Sequence, residues 1–166
     1  GNPSTKRAVT WRTDSSVKKA EAQIAVAGIN SDFVKEASTY TANTEEFDLG
    51  LYKSNKSLIV NYHSVVFENL KPNTLYAYRV GFAENWSEWI QFKTANDTYS
   101  PTQFVYFGDA QNDILNHWSR VIRMAYKTAP DASFVIHAGD LVDSAHKDNE
   151  WAQWFKAGGF IHSQWT

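Results

Sequence analysis

The amino-acid sequence predicts a β-sandwich followed by an α/β portion, because its two halves follow different patterns. In the first half, short apolar or alternating segments recur between turn-forming residues, and no long helical period interrupts them. In the second half, two β-type runs that each end in Gly-Asp are separated by a helical pattern, as in a βαβ unit. We therefore predict a sandwich over residues 1–96 and an α/β portion over 103–166, joined by the polar connector Asn96–Thr102.

The composition of the chain bounds the classes of partner and of site. Of the 166 residues, 43% are hydrophobic and 15% aromatic, which is enough for packed cores. Sixteen basic and eighteen acidic residues leave a formal charge of −2, so we expect neither nucleic acid nor a membrane as a partner. The absence of cysteine excludes a disulfide framework and thiolate metal sites.

Six segments of the first half have the apolar or alternating pattern of short strands. They are residues 8–11, 23–26, 57–60, 63–67, 75–80 and 89–92. The sharpest local signal precedes the fifth of them, where Pro72 and Asn73 form a turn and Tyr76 enters the strand. This pattern resembles the corner of a fibronectin type III-like sandwich, in which a Tyr hydroxyl bonds back to the upstream backbone. We predict that Tyr76, Tyr78 and Trp11 are core residues.

The α/β portion contains two helical patterns. In the first, six apolar residues fall on one helix face: Ile114, Leu115, Trp118, Val121, Ile122 and Ala125. Asn112 or Asp113 is expected to cap this helix, and Pro130 lies just beyond its end. A second helix is expected to begin near Asp148 or Asn149 and to end at Gly158-Gly159, and a further strand could form near Ile161.

The Gly-Asp ends of the two β-type runs are the candidate functional feature. In a βαβ unit the carboxyl ends of neighbouring strands open into the ligand crevice, so Asp109 and Asp140 are expected side by side. The glycine before each Asp allows a tight turn that points the carboxylate into the crevice. Carboxylate oxygens suit hard or borderline divalent metals. From spacing alone, a metal or phosphate site and a pair of ordinary strand-end turns remain equal alternatives.

The motifs around these residues resemble a known superfamily. Phe107–Gln111 followed by His137–Asp143 is similar to the first two motifs of calcineurin-like metallophosphoesterases. Upstream, Asn2–Trp11 and then Tyr62–Gly81 resemble the N-terminal domain of purple acid phosphatases. The two regions occur in that family's order and together span nearly the whole chain. The sequence is thus identified as the N-terminal portion of a purple acid phosphatase-like metallophosphoesterase.

The resemblance implies a hydrolase with a dinuclear metal centre. Asp109 would bind the first metal and Asp140 would bridge both, with Fe, Zn or Mn as the expected ions. In the family, metal-activated water attacks the phosphorus of a phosphate ester. The implied substrate is a small phosphate ester or a phosphoprotein, and the implied location is outside the cytoplasm, in the periplasm, at the cell surface or secreted.

Several residues depart from the family's pattern. Asp143 replaces a metal-binding Tyr of purple acid phosphatases, and Gln111 replaces a superfamily His, so both are weak candidate ligands. The downstream Gly-Asn-His and later His motifs are absent. We therefore expect a catalytic domain that is truncated, no complete catalytic set, and at most one weakly bound metal. His137 is expected to be a hydrogen-bonded core residue and His63 a structural or exposed one.

Two other interpretations remain open. In the first, the chain is a non-catalytic β-sandwich adhesion or carbohydrate-binding module with an α/β remnant. That function requires no metal and places a ligand surface among the exposed aromatic residues of the sandwich. In the second, two chains complete one another as a domain-swapped homodimer.

Overall fold

The computed structural model describes the backbone of residues 1–52 and 56–165, and their side chains except those of residues 51, 52 and 56. The chain divides into two compact units, Gly1–Tyr99 and Ser100 onward, and the division lies within the predicted connector. The first unit is a β-sandwich, and the second is a small α/β portion. This confirms the predicted fold class.

The sandwich consists of two antiparallel sheets. Its elements are β1 (Arg7–Asp14), β2 (Glu21–Val26), a 3-10 helix (Ser31–Glu36), β3 (Ser38–Thr41), β4 (Asn43–Tyr52), β5 (Lys56–Phe67), β6 (Leu75–Phe82), β7 (Asn85–Trp86) and β8 (Ile90–Lys93). One sheet has the order β1-β5-β4. The other has the order β3-β2-β6-β7, and β8 also pairs with β6.

The core of the sandwich lies between the inner faces of these sheets. Phe67 of the first sheet is fully buried and meets the ring of Tyr40 edge-on at 5.2 Å and that of Tyr78 at 6.2 Å. Tyr78 also meets Phe92 at 5.8 Å. Alternation along each strand therefore places aromatic residues of both sheets in one apolar layer, as in aligned sheet packing.

The predicted tyrosine corner is confirmed. The backbone N–H of Lys71 donates to the hydroxyl oxygen of Tyr76 at 2.8 Å, and the Tyr76 ring is buried. The buried Thr94 hydroxyl closes the same turn by donating to the carbonyl of Lys71 at 2.7 Å and accepting from the N–H of Thr74 at 2.9 Å. Trp11, by contrast, is only half-buried at the margin of the core, 5.4 Å from the ring of His63.

One strand prediction is wrong because polar residues were interpreted as a break. Segments 57–60 and 63–67 are a single strand, β5, which runs through Asn61 and His63. The buried Asn61 amide donates to the carbonyl of Val17 at 2.8 Å. The buried His63 has both ring nitrogens 2.8 Å from hydroxyls, those of Thr13 and Thr44. Because these partners satisfy the Asn61 amide N–H group and both His63 ring nitrogens, the strand continues, although the buried Asn61 Oδ1 has no hydrogen-bond partner among the described residues. His63 is structural, as predicted.

The second unit places helices on one side of a two-stranded sheet. Its elements are β9 (Phe104–Phe107), α1 (Trp118–Thr128), β10 (Phe134–His137), α2 (Asp148–Gly158) and α3 (Ile161–Gln164). Strands β9 and β10 are parallel, in register from Phe104 with Phe134 to Phe107 with His137. The core between the strands and helices is formed by Phe107, Ala110, Ile114, Trp118, Ile122, Ala132, Val142, Trp154, Ala157, Ile161 and Trp165.

Two boundaries in this unit differ from the predictions. Helix α1 begins at Trp118, several residues after the predicted cap, because Asp113 has a left-handed backbone with φ +47° that cannot continue a helix. Ile161 begins helix α3 and not a strand, because a turn at Gly159 (φ +55°) ends α2 and a new helical turn follows at once. Helix α2 begins at Asp148 and ends at Gly158, as predicted.

Gly81 is required by the hairpin between β6 and β7. A Cβ at this position would collide with the carbonyl oxygen of Asn85 and lie 2.9 Å from the Cα of Trp86. Because both obstacles are backbone atoms, we expect Gly81→Ala to lower the free energy of unfolding by about 3 kcal/mol in urea denaturation. Gly28→Ala is the control, since its Cβ would meet only ordinary contacts at 3.7 Å. Equal stability of the two variants would contradict this account.

The tyrosine corner is tested by Tyr76→Phe. The variant leaves the partly buried N–H of Lys71 without its acceptor, so the free energy of unfolding should fall by about 1–2 kcal/mol. Tyr40→Phe serves as the comparison, because the Tyr40 ring packs in the same core and its hydroxyl makes no hydrogen bond to a described residue. A Tyr76→Phe loss no larger than that of Tyr40→Phe would show that the hydrogen bond contributes nothing.

Candidate functional site

The two Gly-Asp aspartates leave the sheet at the same edge. Asp109 follows β9 by two residues, and Asp140 follows β10 by three. The strands are parallel, and Phe107 is paired with His137 at their carboxyl ends. The N–H of Ala138 donates to the carbonyl of Phe107 at 2.8 Å, which extends the pairing by one residue. Parallel pairing therefore places both exposed carboxylates at the carboxyl edge where ligands bind in open α/β sheets.

Both aspartates have a left-handed backbone. The φ angles are +52° at Asp109 and +49° at Asp140. We expected the preceding glycines to provide the turn, and Gly139 does so with φ +101°. Gly108 lies outside the left-handed region, so Asp109 itself makes the first turn. Such a conformation costs an L residue about 1 kcal/mol, and backbone strain of this kind clusters at functional sites.

The weaker candidate ligands lie on the two loops that follow. Gln111 is half-buried in the turns after β9. Asp143 is exposed, 3.8 Å from the ammonium of Lys147, and accepts a hydrogen bond from the Ser144 hydroxyl at 3.3 Å. Within residues 1–52 and 56–165, no group of three or more His, Cys, Asp or Glu side chains could hold a metal ion. The structure thus aligns two carboxylates at one edge without assembling a full ligand set.

Glu150 positions the loop after Asp140, a role that the sequence analysis missed. Its carboxylate accepts from the N–H of Ser144 at 2.8 Å and from the ammonium of Lys147 at 3.0 Å. The hydrogen bond from the Ser144 backbone, followed by that from Lys147, holds the pKa of Glu150 below its usual value. The sequence did contain a signal for this role, because Glu150 is the third residue of the helix, the position from which a Glu commonly bonds back to the backbone ahead of the helix. The Trp151 indole donates to the carbonyl of Ala145 at 2.8 Å and fixes the same loop.

An aromatic cluster lies beneath the site, on the helix-covered side of the sheet. The His137 ring lies 5.3 Å from those of Phe107 and Trp118 and 5.4 Å from that of Trp154. His137 is therefore packed in the core, but its two ring nitrogens have no hydrogen-bond partner among the described residues, contrary to the prediction. Burial lowers its pKa. Trp151 and Trp154, both on α2, pack against each other with ring centroids 6.4 Å apart.

His162 is a second histidine in this cluster. Its ring stacks on the Trp154 indole at 4.0 Å, and its Nε2 lies 3.3 Å from the Trp154 carbonyl. Burial lowers the pKa of His162 to about 4. The ring also fills the space above Gly158, where a Cβ would collide with it. The His162 ring therefore forms part of the packing of α3 against α2, and burial there favours its neutral form.

The side chain of Arg79, on β6 of the sandwich, packs against two aromatic rings. The Arg79 guanidinium lies 4.6 Å from the ring centre of Trp86 and 4.7 Å from that of Trp89. Its Nε donates to the Gln23 side chain at 2.8 Å, and Phe33 meets Trp89 edge-on at 5.2 Å. One face of each indole is thus occupied by the chain itself, which leaves less aromatic surface for the ligand that an adhesion module would bind.

The family of the first unit is established by comparison with known proteins. Residues 1–94 match the model of the purple acid phosphatase N-terminal domain. The chain belongs to this family. The match to the purple acid phosphatase N-terminal domain covers the sandwich and ends before Asp109, so the roles of Asp109, Asp140, Gln111 and Asp143 as ligands stay predictions.

Solved structures extend the comparison to the second unit. The structure of PhoD is similar over 84% of this chain and 26% of that chain, with a TM-score of 0.53 and 16% identity. The purple acid phosphatase-type chain described here thus spans about a quarter of the PhoD chain, and the likeness is one of fold. Two other solved structures have lower TM-scores. A redesigned β-sandwich protein matches 57% of this chain and 85% of its own, with a TM-score of 0.33 and 17% identity. Astrotactin-2 matches 76% of this chain and 23% of its own, with a TM-score of 0.39 and 14% identity.

No curated protein sequence matches the chain. Among the described residues, no helix combines the length and the apolar character needed to span a membrane.

The partly buried imidazole of His162 makes the second unit sensitive to acid. Its pKa of about 4 in the folded chain lies below the usual 6.5, so folding opposes protonation and stability falls as the pH drops from about 6.5 toward 4. With allowance for partial solvent screening, we expect the free energy of unfolding to fall by about 1–2 kcal/mol between pH 7.5 and pH 5 from this residue. Urea denaturation followed by tryptophan fluorescence at both pH values measures this.

The control for this prediction is His162→Phe, which keeps an aromatic ring against Trp154 and removes the titratable group. The variant should retain the acid sensitivity that arises from other groups, including His63 and His137, whose pKa values are also lowered by burial. A pH dependence of stability identical in the native chain and in His162→Phe would refute the assignment to His162.

Proposed function

We propose that this chain is the N-terminal part of a phosphate ester hydrolase in which Asp109 and Asp140 bind divalent cations. The observation that carries the proposal is the pair of left-handed aspartates at the aligned ends of two parallel strands. Membership of the first unit in the purple acid phosphatase N-terminal family supports the assignment, because that domain precedes the phosphoesterase portion in the resemblance.

The site offers ligands of a suitable type for divalent cations but too few of them. Two exposed carboxylates that follow adjacent strands are suitable oxygen ligands, and Gln111, with its amide oxygen, is two residues beyond Asp109 in the sequence. Two carboxylates do not close a coordination shell, and no third acidic or His ligand joins them within the described residues. Further ligands would have to come from outside those residues, so we propose that this chain alone holds metal weakly and does not hydrolyse esters.

Each residue of the site has a proposed role. Asp140 would bridge two ions and Asp109 would bind one of them, with Fe, Zn or Mn as candidates. When bound, the ions would neutralise phosphate charge and lower the pKa of a water nucleophile. Glu150, through the N–H of Ser144, would hold the loop that contains Asp143 at a fixed distance from the carboxyl edge. The proposed substrate is a small phosphate ester or a phosphoprotein, met after export.

The proposal is tested by calorimetric titration of the chain with Mn²⁺ and Zn²⁺ beside the double variant Asp109→Asn/Asp140→Asn. We expect weak binding by the native chain, with a dissociation constant on the order of 0.1–1 mM, and at least a tenfold loss in the variant. The loss is expected because the neutral amides remove both charges that attract the cation.

A matched control separates this site from general attraction of cations to a negative chain. Asp97→Asn/Asp131→Asn removes two charges of the same sign from exposed positions, one in the first unit and one ahead of the amino end of β10, and should bind metal like the native chain. Equal loss in both double variants, or no binding by the native chain, would overturn the metal assignment. The aspartates would then be strand-end turns, and the adhesion-module interpretation would be favoured.

A further inference from the structure

Helix α1 presents a strip of unpaired positive charge to solvent. Arg120, Arg123 and Lys127 are all exposed, and the helix, Trp118–Thr128, contains no acidic residue. Residues three and four apart are neighbours on a helix surface, so these three cations form one continuous strip. None of them makes an ion pair with a described carboxylate, whereas Lys18, Lys35 and Lys147 do. The charge of this strip is opposite in sign to that of the whole chain.

Exposed apolar side chains border the strip. Met124 is 62% exposed and Val121 is 51% exposed, and at 100° per residue both follow Arg120 around the helix. On the other border, beyond Arg123, the ring of Tyr126 meets Phe160 edge-on at 5.4 Å, and Phe160 is 55% exposed. The apolar face that α1 buries in the core is separate from these residues, since it contains Trp118 and Ile122.

A cationic strip bordered by exposed apolar side chains is suited to the boundary between lipid headgroups and acyl chains. Arg and Lys there contact anionic headgroups, while Phe, Met and Val enter the outer acyl layer. We propose that the exposed face of α1, together with Phe160, binds an anionic phospholipid surface. Such binding is peripheral, and it is consistent with the finding that no described helix could span a membrane.

The apolar border distinguishes this partner from other anionic ones. A nucleic-acid backbone offers phosphate charge but no apolar layer for Met124 and Phe160 to enter. The sequence-based expectation of no membrane partner depended on the whole-chain charge of −2, but contact with a surface depends on the charge within a Debye length, about 10 Å at 0.1 M salt. An acidic protein segment could satisfy both features and is therefore an outcome of the test.

The experiment is co-sedimentation of the full chain with vesicles of phosphatidylcholine that contain either 30% phosphatidylserine or none, at about 0.1 M salt. We expect binding to the anionic vesicles at least tenfold stronger than to the neutral ones. Arg120→Gln/Arg123→Gln/Lys127→Gln should weaken the anionic binding about 100-fold. Val121→Ser/Met124→Ser should weaken it about tenfold with the charges kept.

The control triple variant Lys19→Gln/Lys71→Gln/Lys93→Gln removes the same charge from exposed positions of the sandwich and should bind vesicles like the native chain. Far-ultraviolet circular dichroism verifies that every variant is folded. Equal binding to both vesicle types, no binding, or an equal loss in the control triple variant would overturn the proposal. So would retention on a poly-glutamate matrix without vesicle binding, which would identify an acidic protein segment as the partner.

Discussion

The parallel pairing of β9 with β10 is the constraint on which the second unit depends. Two strands alone give a marginal sheet, so their register must be held by what packs on them. The T-shaped contact of Phe107 with Trp118 at 4.7 Å and the ring of His137 beside both provide this support. Because the register pairs Phe107 with His137, the chain leaves both strands at one edge and delivers Asp109 and Asp140 together. The candidate chemistry is thus a consequence of the packing beneath it.

The sandwich is closed by contacts between its N-terminal segment and later strands. Asn2 makes a local turn, in which its side-chain oxygen accepts from the N–H and the hydroxyl of Ser4 at 3.1 and 2.8 Å. The carbonyl of Thr5 then accepts from Leu70 at 2.9 Å, and that of Pro3 accepts from Ala95 at 3.1 Å. These bonds bring the first residues of the chain to the tyrosine corner.

The second unit combines two partly buried imidazoles with an exposed charged helix, and both features follow from the packing of its core. Large aromatic rings fill the core beneath the sheet, and His137 and His162 pack among them. This environment disfavours the charged imidazolium and lowers the pKa of both residues. The same packing orients α1 with Trp118 and Ile122 inward. The cations of α1 and its remaining apolar residues therefore face solvent. The local charge of this face is positive, although the net charge of the whole chain is −2.

The sequence by itself determined the features that depend on neighbouring residues. Alternation and helical periodicity indicated the sandwich, the βαβ order and helix α2, and the Pro72-Asn73 turn before Tyr76 indicated the corner. Spacing and motif likeness singled out Asp109 and Asp140. These signals are local because side-chain periodicity and turn chemistry act over a few residues.

The tertiary structure decided the features that depend on contacts between residues distant in the sequence. Strand β5 continues through Asn61 because the carbonyl of Val17 accepts its amide proton, and no local pattern contains that information. The late start of α1 and the helical turn at Ile161 follow from backbone angles at Asp113 and Gly159 that depend on the surrounding packing. Within residues 1–52 and 56–165, no carboxylate pairs with the cations of α1 and no group bonds to the ring nitrogens of His137, and both findings depend on the tertiary structure. Whether a charge or a ring nitrogen finds a partner depends on which segments meet in space, and the sequence does not state that.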